Sequence, residues 1–158
     1  MRKATRMLLN ILKKSNPNAS YVAVKPQYYE KSKANHCHAN VMQFLGENEE
    51  LMIRSGWMVG EYFGDKGTAI IPHYWVYDPV NKNHYDITPL NSNQKFEYVF
   101  DIEIFMNIDM ERYISVPVPL NLLDNGNLRA RVGEDKFIPI SAICHKNLYQ
   151  LVNLNQPN

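Results

Sequence analysis

The chain has 158 residues, of which 45% are hydrophobic and 21% are charged, and its formal net charge is +1. These values are typical of a folded globular protein and not of a disordered chain, and we expect residues 1–158 to form one domain. The charge is nearly balanced and scattered, so it indicates neither a nucleic-acid partner nor an anionic membrane surface. No apolar run approaches the roughly 20 residues of a membrane-spanning helix, and two cysteines make no disulfide framework, so we predict a cytoplasmic protein.

The first third of the chain predicts two helices joined by polar loops. Residues 4–14 place apolar side chains at helical spacing, and basic residues follow directly without a cleavage site, which favours an amphipathic helix over a secretory signal. Tyr21–Val24 predicts a short strand, and Lys25–Asn35 predicts a polar loop. We expect a second helix over residues 37–45, where apolar side chains recur on one face. The segment Glu47–Arg54 predicts a further helical turn or two.

Strand patterns dominate the rest of the chain. Trp57–Phe63 is aromatic and β-branched, and Thr68–Asp78 and Asn83–Thr88 flank four residues typical of a hairpin loop. The later predictions, in chain order, are an ambiguous segment at 96–107, an extended segment at Arg112–Val118, a hairpin formed by 128–132 and 136–140, and a last helix capped by Ser141 and carrying Ile143, Leu148 and Leu151. The predicted fold class is α+β, with N-terminal helices packed on an antiparallel β-sheet.

Cys37 is the strongest candidate nucleophile in the sequence. At the first position of a predicted helix, its side chain lies beside unpaired backbone N–H groups and the positive end of the helix dipole, which favour a thiolate. The same N–H groups are suited to holding an oxyanion. Because Cys37 shares one helix face with Val41, Phe44 and Leu45, we expect it to point toward the sheet. Cys144 lacks such a helix start, and we interpret it as a core residue.

The predicted hairpin supplies a histidine and a carboxylate. A two-residue turn at Pro79-Val80 would need positive φ angles that both residues resist, so we expect a four-residue loop that pairs Asp78 with Asn83. In this register Asp86 becomes the diagonal cross-strand neighbour of His73, on the same face and within reach of the imidazole. A slip of one residue would put the two side chains on opposite faces. The sequence therefore predicts a Cys-His-Asp triad.

This triad predicts acyl chemistry through a thioacyl intermediate. Cys37 attacks, His73 accepts the thiol proton and later returns it to the leaving group, and Asp86 fixes the tautomer and orientation of the imidazole. Gln27 and Asn35 lie in the loop before the helix and are candidate side-chain donors to the oxyanion. We prefer Gln27, because Asn35 is also suited to capping the helix. No cofactor is implied.

The same residues resemble the papain-like and transglutaminase-like superfamily of cysteine enzymes. HYWVYDP at 73–79 and HYDITP at 84–89 resemble the transglutaminase-core pattern of a His-x-Trp-Val strand followed by a strand that carries Asp. NHCHAN at 35–40 resembles the segment that leads into the nucleophile helix. The resemblance implies a papain/transglutaminase-like core and a cysteine that attacks an acyl or amide carbon. The chain departs from it where His36 replaces a common Trp, and Gln27 lies farther from the nucleophile than the Gln of papain-type proteases.

Other interpretations of these residues stay open. Cys37 is also explained as a small buried apolar residue, as free cysteines commonly are. Trp57 and Trp75 fit either sheet packing or the lining of a substrate cleft. A metal site built on residues 36–38 is disfavoured, because neighbouring helical side chains diverge by about 100° and the chain has no C-x-x-C or H-x-x-x-H spacing. The sequence therefore predicts no metal.

Three functions are compatible with the sequence. The leading prediction is a cysteine-dependent hydrolase, such as a peptidase, amidase or deamidase, acting on a peptide, protein or small amide substrate. An acyltransferase of the transglutaminase type would use the same triad and pass the acyl group to an amine. The third is a non-catalytic binding protein on the same fold. Labelling of Cys37 that depends on His73 would separate the two enzymes from the binding protein.

Overall fold

A computed structural model describes residues 1–90, 93–108, 120–123, 127–132, 134–139, 148–150 and 152. Its helices are α1 (Lys3–Leu12), α2 (Cys37–Glu47) and α3 (Ile104–Asn107), with a 3₁₀ turn at Gly64–Lys66. Residues 148–150 and 152 are also helical. Its strands are β1 (Ser20–Val22), β2 (Val24–Pro26), β3 (Met52–Tyr62), β4 (Thr68–Asp78), β5 (Asn83–Asp86), β6 (Glu97–Phe100), β7 (Leu120–Leu122), β8 (Asn127–Val132) and β9 (Glu134–Pro139). The fold class is α+β, as predicted. Within these ranges, no helix combines the length and the apolar character needed to cross a bilayer.

The strands form one sheet that curls back on itself. β4 pairs with β3, β3 pairs with β6, and β6 pairs with β1, all antiparallel. On its other side, the end of β4 pairs with β5, and β5 pairs in parallel with β2. Only Ala23 separates β1 from β2, so the order β1-β6-β3-β4-β5-β2 closes into a small ring of strands, here called the strand ring. β7, β8 and β9 extend the sheet from the first residues of β4.

Two hydrophobic clusters cover the two faces of the curled sheet. Side chains alternate along β4, so Tyr74 and Val76 face the helices while His73 and Trp75 face into the strand ring. The main core joins α1 and α2 to the outer face and includes Leu8, Leu12, Val41, Trp57, Val59, Ile70, Tyr74, Val76 and Val99. The smaller cluster fills the strand ring and consists of Met58, Trp75 and Tyr98, with Val22, Val24, Phe96 and Phe100 packed against them.

Gly56 makes room for the indole of Trp75 inside the strand ring. β3 places Gly56 directly opposite His73. A Cβ atom at residue 56 would lie 2.5 Å from an indole carbon of Trp75 and 2.0 Å from the carbonyl oxygen of Val99. Only a residue without a Cβ fits there, which explains a glycine in the middle of a central strand. The indole Nε1 in turn donates a hydrogen bond to His84 Nδ1 at 2.9 Å.

Asp101 joins distant parts of the chain at one buried carboxylate. It is fully buried and accepts hydrogen bonds from Asn16 Nδ2 at 3.0 Å, Trp57 Nε1 at 2.9 Å and the Tyr149 hydroxyl at 2.5 Å. A carboxylate is stable in a protein interior only when donors of this kind replace water. The segment after α1, the middle of β3 and the region of Tyr149 are therefore fixed relative to one another.

Two predictions about the fold are wrong. Glu47–Arg54 is not a further helix, because β3 begins at Met52 and residues 52–54 pair with residues 75–77 of β4. The sheet is also not wholly antiparallel, because β2 and β5 pair in parallel. Both features depend on pairing between strands, and such pairing overrides local propensity.

Other predicted elements agree with the structure. Thr68–Asp78 is β4 with the predicted bounds, and β8 pairs with β9 as the predicted hairpin. The predicted strand at Tyr21–Val24 is interrupted at Ala23, which divides it between β1 and β2. The ambiguous segment 96–107 contains both β6 and α3. Leu148, which belongs to the predicted last helix, is helical and buried, whereas the predictions for Arg112–Val118, Ser141, Ile143 and Leu151 fall outside the described residues.

Candidate active site

Cys37 is the first residue of α2, as predicted. Asn35 has a φ angle of 63°, a left-handed conformation that asparagine tolerates better than most residues, and this turns the chain into the helix. The N-cap residue is His36, whose side chain makes no capping hydrogen bond within the described part of the chain. Its Nδ1 contacts the carbonyl oxygen of Ala34 at 2.7 Å instead. The first amides of α2, including that of Cys37, are therefore not occupied by a side-chain cap.

His73 and Asp86 meet inside the strand ring. The β4–β5 ladder pairs Asp78 with Asn83, which is the predicted register. His73 Nε2 lies 2.8 Å from Asp86 Oδ2, and only 3% of His73 and 5% of Asp86 is exposed. Because this hydrogen bond uses Nε2, the ring nitrogen left for another partner is Nδ1.

Cys37 is the second neighbour of the imidazole. Its side chain is half-buried and lies close enough to His73 to influence the pKa of the imidazole. Burial alone would lower the pKa of His73, but the charge of Asp86, its hydrogen bond to the imidazole and the nearby Cys37 raise this pKa to about 10. The imidazole is therefore protonated at neutral pH, with both ring nitrogens as donors. The structure thus brings all three predicted triad residues together.

Asp86 has two further donors besides His73. Its Oδ2 also accepts a hydrogen bond from the Tyr98 hydroxyl at 2.7 Å, and its Oδ1 accepts one from the Thr88 amide at 3.0 Å. Burial would raise the pKa of Asp86, but the charge of His73 and the hydrogen bonds from His73, Thr88 and Tyr98 lower it. Burial and the neighbouring carboxylate raise the pKa of Tyr98, so its hydroxyl stays a donor. The carboxylate is held ionised and in one orientation.

Asn40 ties the nucleophile helix to the segment that follows Asp86. It lies on α2 close to one turn after Cys37 and is buried. Its Nδ2 donates to the carbonyl oxygen of Lys33 at 2.8 Å and to Thr88 Oγ1 at 3.1 Å, and its Oδ1 accepts from the Lys33 amide at 2.9 Å. Since the Thr88 amide also binds Asp86, these bonds fix the spacing between the helix start and the carboxylate.

A cavity of about 630 Å³ opens beside Asp86. Its lining residues belong to three stretches of chain, residues 24–32, 86–90 and 94–98, and a few residues within these stretches do not line the cavity. The three stretches correspond to the end of β2, the end of β5 and the start of β6. Because β2 and β5 are parallel and β6 begins where they end, the cavity lies at the mouth of the strand ring. Asp86 is the only triad residue among its described lining residues.

The remaining predicted site residues lie in different surroundings. The backbone amide of Gln27 donates to the carbonyl oxygen of Asp86 at 2.8 Å, and Gln27 lines the cavity. Asn35 is exposed and is not the N-cap residue of α2. Trp57 and Trp75 are fully buried, so of the two interpretations given for them the structure supports packing and not the lining of a cleft. Both indoles fill cores instead, because each finds an internal hydrogen-bond acceptor.

Sequence reasoning missed Tyr98 and Asn40. Tyr98 lies on β6, which pairs with β1 and β3 and not with the strands that carry His73 and Asp86. No local spacing therefore links it to the triad. Asn40 did leave a signal, since it follows Cys37 at i+3 and is a polar residue next to the apolar face of a helix. A buried amide at such a position needs partners, and this is a reason to look for a structural role.

Comparisons with known proteins add no relative. Scans against family models, curated proteins and solved structures found no match to the chain. Among the residues that the structure describes, no three His, Cys, Asp or Glu side chains are grouped so that they could hold a metal ion. Cys144 and His145 lie outside that description.

Proposed function

We propose that this protein is a cysteine-dependent hydrolase of amide or related acyl bonds, with Cys37, His73 and Asp86 as its triad. The observation that carries the proposal is the position of the His73 imidazole, which binds Asp86 through Nε2 and lies close to the Cys37 side chain at the start of α2. A nucleophile helix that meets a closed ring of strands at its first residue also supports a papain/transglutaminase-like core.

The first half of the proposed reaction forms a thioester. The Cys37 thiolate attacks the carbonyl carbon of the amide, and the oxygen takes the negative charge next to the uncapped amides at the start of α2. The His73 imidazolium then gives a proton to the leaving nitrogen, so the C–N bond breaks and the amine departs. Asp86 stabilises the imidazolium and keeps its ring in position throughout.

The second half releases the acid. Neutral His73 accepts a proton from a water molecule as the water oxygen attacks the thioester carbon. The C–S bond breaks, a carboxylic acid leaves, and the Cys37 thiolate and the His73 imidazolium are restored. If an amine replaces water in this step, the product is a new amide and the enzyme is an acyltransferase.

Alkylation by iodoacetamide at pH 6 tests the triad without knowledge of the substrate. Cysteines beside an imidazolium commonly react as thiolates, so the triad predicts that Cys37 is modified at least about tenfold faster than Cys144, as read by mass spectrometry of peptides. His73→Ala should remove this difference, whereas His36→Ala, which removes a neighbouring imidazole outside the triad, should keep it. Equal modification of both cysteines in the unmodified chain would refute the proposal.

A second measurement separates catalysis from folding. Cys37→Ala should abolish hydrolysis of a mixed peptide-amide library, followed as ammonia and amine release, and should leave the circular dichroism spectrum unchanged. Unfolding of this variant would instead support a structural cysteine. Incorporation of dansylcadaverine into the library, in place of simple release, would assign the acyltransferase reaction to the same triad.

A further inference from the structure

The cavity at the mouth of the strand ring is of the size and position of a ligand site. Its volume of about 630 Å³ falls in the range of roughly 300–1,000 Å³ that is typical of sites for small molecules. Such sites commonly occur in the mouths of β-barrels. The cavity also reaches Asp86 and Thr88, which belong to the hydrogen-bond network around the imidazole.

The lining of the cavity indicates the chemistry of its ligand. Its walls are largely apolar and aromatic, with Val24, Ile87, Leu90, Phe96 and Tyr98 among them. Its charged lining residues are Glu30, Lys95 and Asp86, and Asp86 is already neutralised by its contact with His73. One remaining acid and one remaining base give no net charge that would select an ion. A neutral apolar group gains most from this environment.

We propose that this cavity binds a neutral, aromatic or branched apolar group of the substrate, on the Asp86 side of the triad. This proposal rests on the proposed cysteine chemistry, because it treats the ligand as a substrate. The cavity touches Asp86 but neither reacting atom lies in its described lining. The bound group is therefore placed beside Asp86, apart from the carbonyl carbon that Cys37 attacks.

Binding is tested first in the full-length Cys37→Ala variant, which cannot react. The probes are N-acetyl-phenylalaninamide and the α-amide of N-acetyl-aspartic acid, titrated into ¹⁵N-labelled protein and followed by amide chemical shifts. We expect shifts at residues 24–32, 86–90 and 94–98, and an affinity for the phenylalanine probe at least about tenfold higher than for the aspartate probe. Equal affinities, or shifts confined to other regions, would overturn the proposal.

A charged substitution in the cavity provides the matched variant. Leu90 is 41% exposed, so Leu90→Asp is compatible with folding, and it should weaken the phenylalanine probe at least about fivefold. Met106→Asp adds the same charge at an exposed position on α3 and should leave the affinity unchanged. Unchanged affinity in Leu90→Asp, with a native-like spectrum, would contradict the assignment of the cavity.

Two chloromethyl ketones then connect the cavity to the nucleophile. In each, the Cys37 thiolate forms a C–S bond to the methylene carbon and chloride leaves. The N-acetyl-phenylalanine compound should modify Cys37 at least about tenfold faster than the N-acetyl-aspartate compound. Equal rates together with His73-dependent iodoacetamide labelling would reject the proposal that the cavity binds the substrate, but would leave the proposed hydrolase activity standing. Selective binding of the phenylalanine amide without that labelling would reject the hydrolase and, with it, the role of the bound group as substrate.

Discussion

Replacing Asp86 by asparagine removes a buried negative charge 2.8 Å from His73 Nε2 while the side chain keeps its size. Two opposite unit charges about 4 Å apart interact by ~4 kcal/mol at an effective dielectric constant of about 20. At 1.36 kcal/mol per pKa unit, this corresponds to about three units. The pKa of His73, raised to about 10 in the unmodified protein, should therefore fall by about three units in Asp86→Asn.

The direction of this pKa change follows from the groups that remain around His73 in the variant. Burial of His73 still lowers its pKa, and of the two neighbours that raise it only Cys37 remains unchanged. The imidazole then titrates near neutral pH, and in its neutral form Nε2 accepts a hydrogen bond from the asparagine amide. We expect the rate of hydrolysis to drop less in Asp86→Asn than in His73→Ala, because an amide partly replaces the orienting carboxylate.

Histidine ring NMR between pH 5 and 11 measures this shift directly. The His73 signals are assigned by their loss in His73→Gln, and Asp65→Asn serves as the control, since Asp65 is exposed in the 3₁₀ turn at Gly64–Lys66. The control should leave the titration of His73 unchanged. A change of less than about one unit in Asp86→Asn would refute the claim that the carboxylate holds the imidazolium.

Further measurements test the packing and protonation of the same region. Tyr98→Phe deletes the hydroxyl that binds Asp86 and should destabilise the protein by about 1.5–3 kcal/mol in urea unfolding; an unchanged midpoint would argue against that bond. Gly56→Ala places a Cβ 2.0 Å from the Val99 oxygen and should lower the free energy of unfolding by about 1–3 kcal/mol or more. The control Gly46→Ala, with nothing within 4 Å of its Cβ, should raise the free energy of unfolding by about 0.5–1 kcal/mol. Because the folded pKa of the triad imidazole is raised from 6.5 to about 10, its contribution to stability is complete below pH 6.5 and is lost up to about pH 10. Denaturation at the two pH values should show the fall, and a constant free energy of unfolding would contradict it.

The β4–β5 hairpin was predictable because local chemistry leaves one register. Pro79-Val80 resists a tight turn, and the four-residue loop instead places Lys82 at a φ angle of 55°. Once Asp78 pairs with Asn83, the two-residue period of a strand determines the faces of all later residues. The triad hypothesis needed only this register and the start of one helix.

The strand ring was not predictable in the same way. It closes through the parallel contact of β2 with β5, two short strands separated by more than fifty positions along the chain. Nothing in VKP or NHYD encodes that partner, because backbone pairing carries little sequence information in so few residues. The cavity and the contact of Tyr98 with Asp86 exist only after this closure, so both were invisible to pattern analysis.

The carboxylate of Asp101 has a consequence for how the protein unfolds. Its donors come from the segment after α1, from β3 and from Tyr149. Detaching any one of these regions therefore leaves a buried carboxylate with too few hydrogen-bond donors. Local unfolding of the segment after α1 or of the region of Tyr149 is therefore unfavourable, and we expect the protein to unfold in a single cooperative step. A deletion that removes Tyr149 should accordingly loosen amide exchange protection in α1, although the two are far apart in the chain.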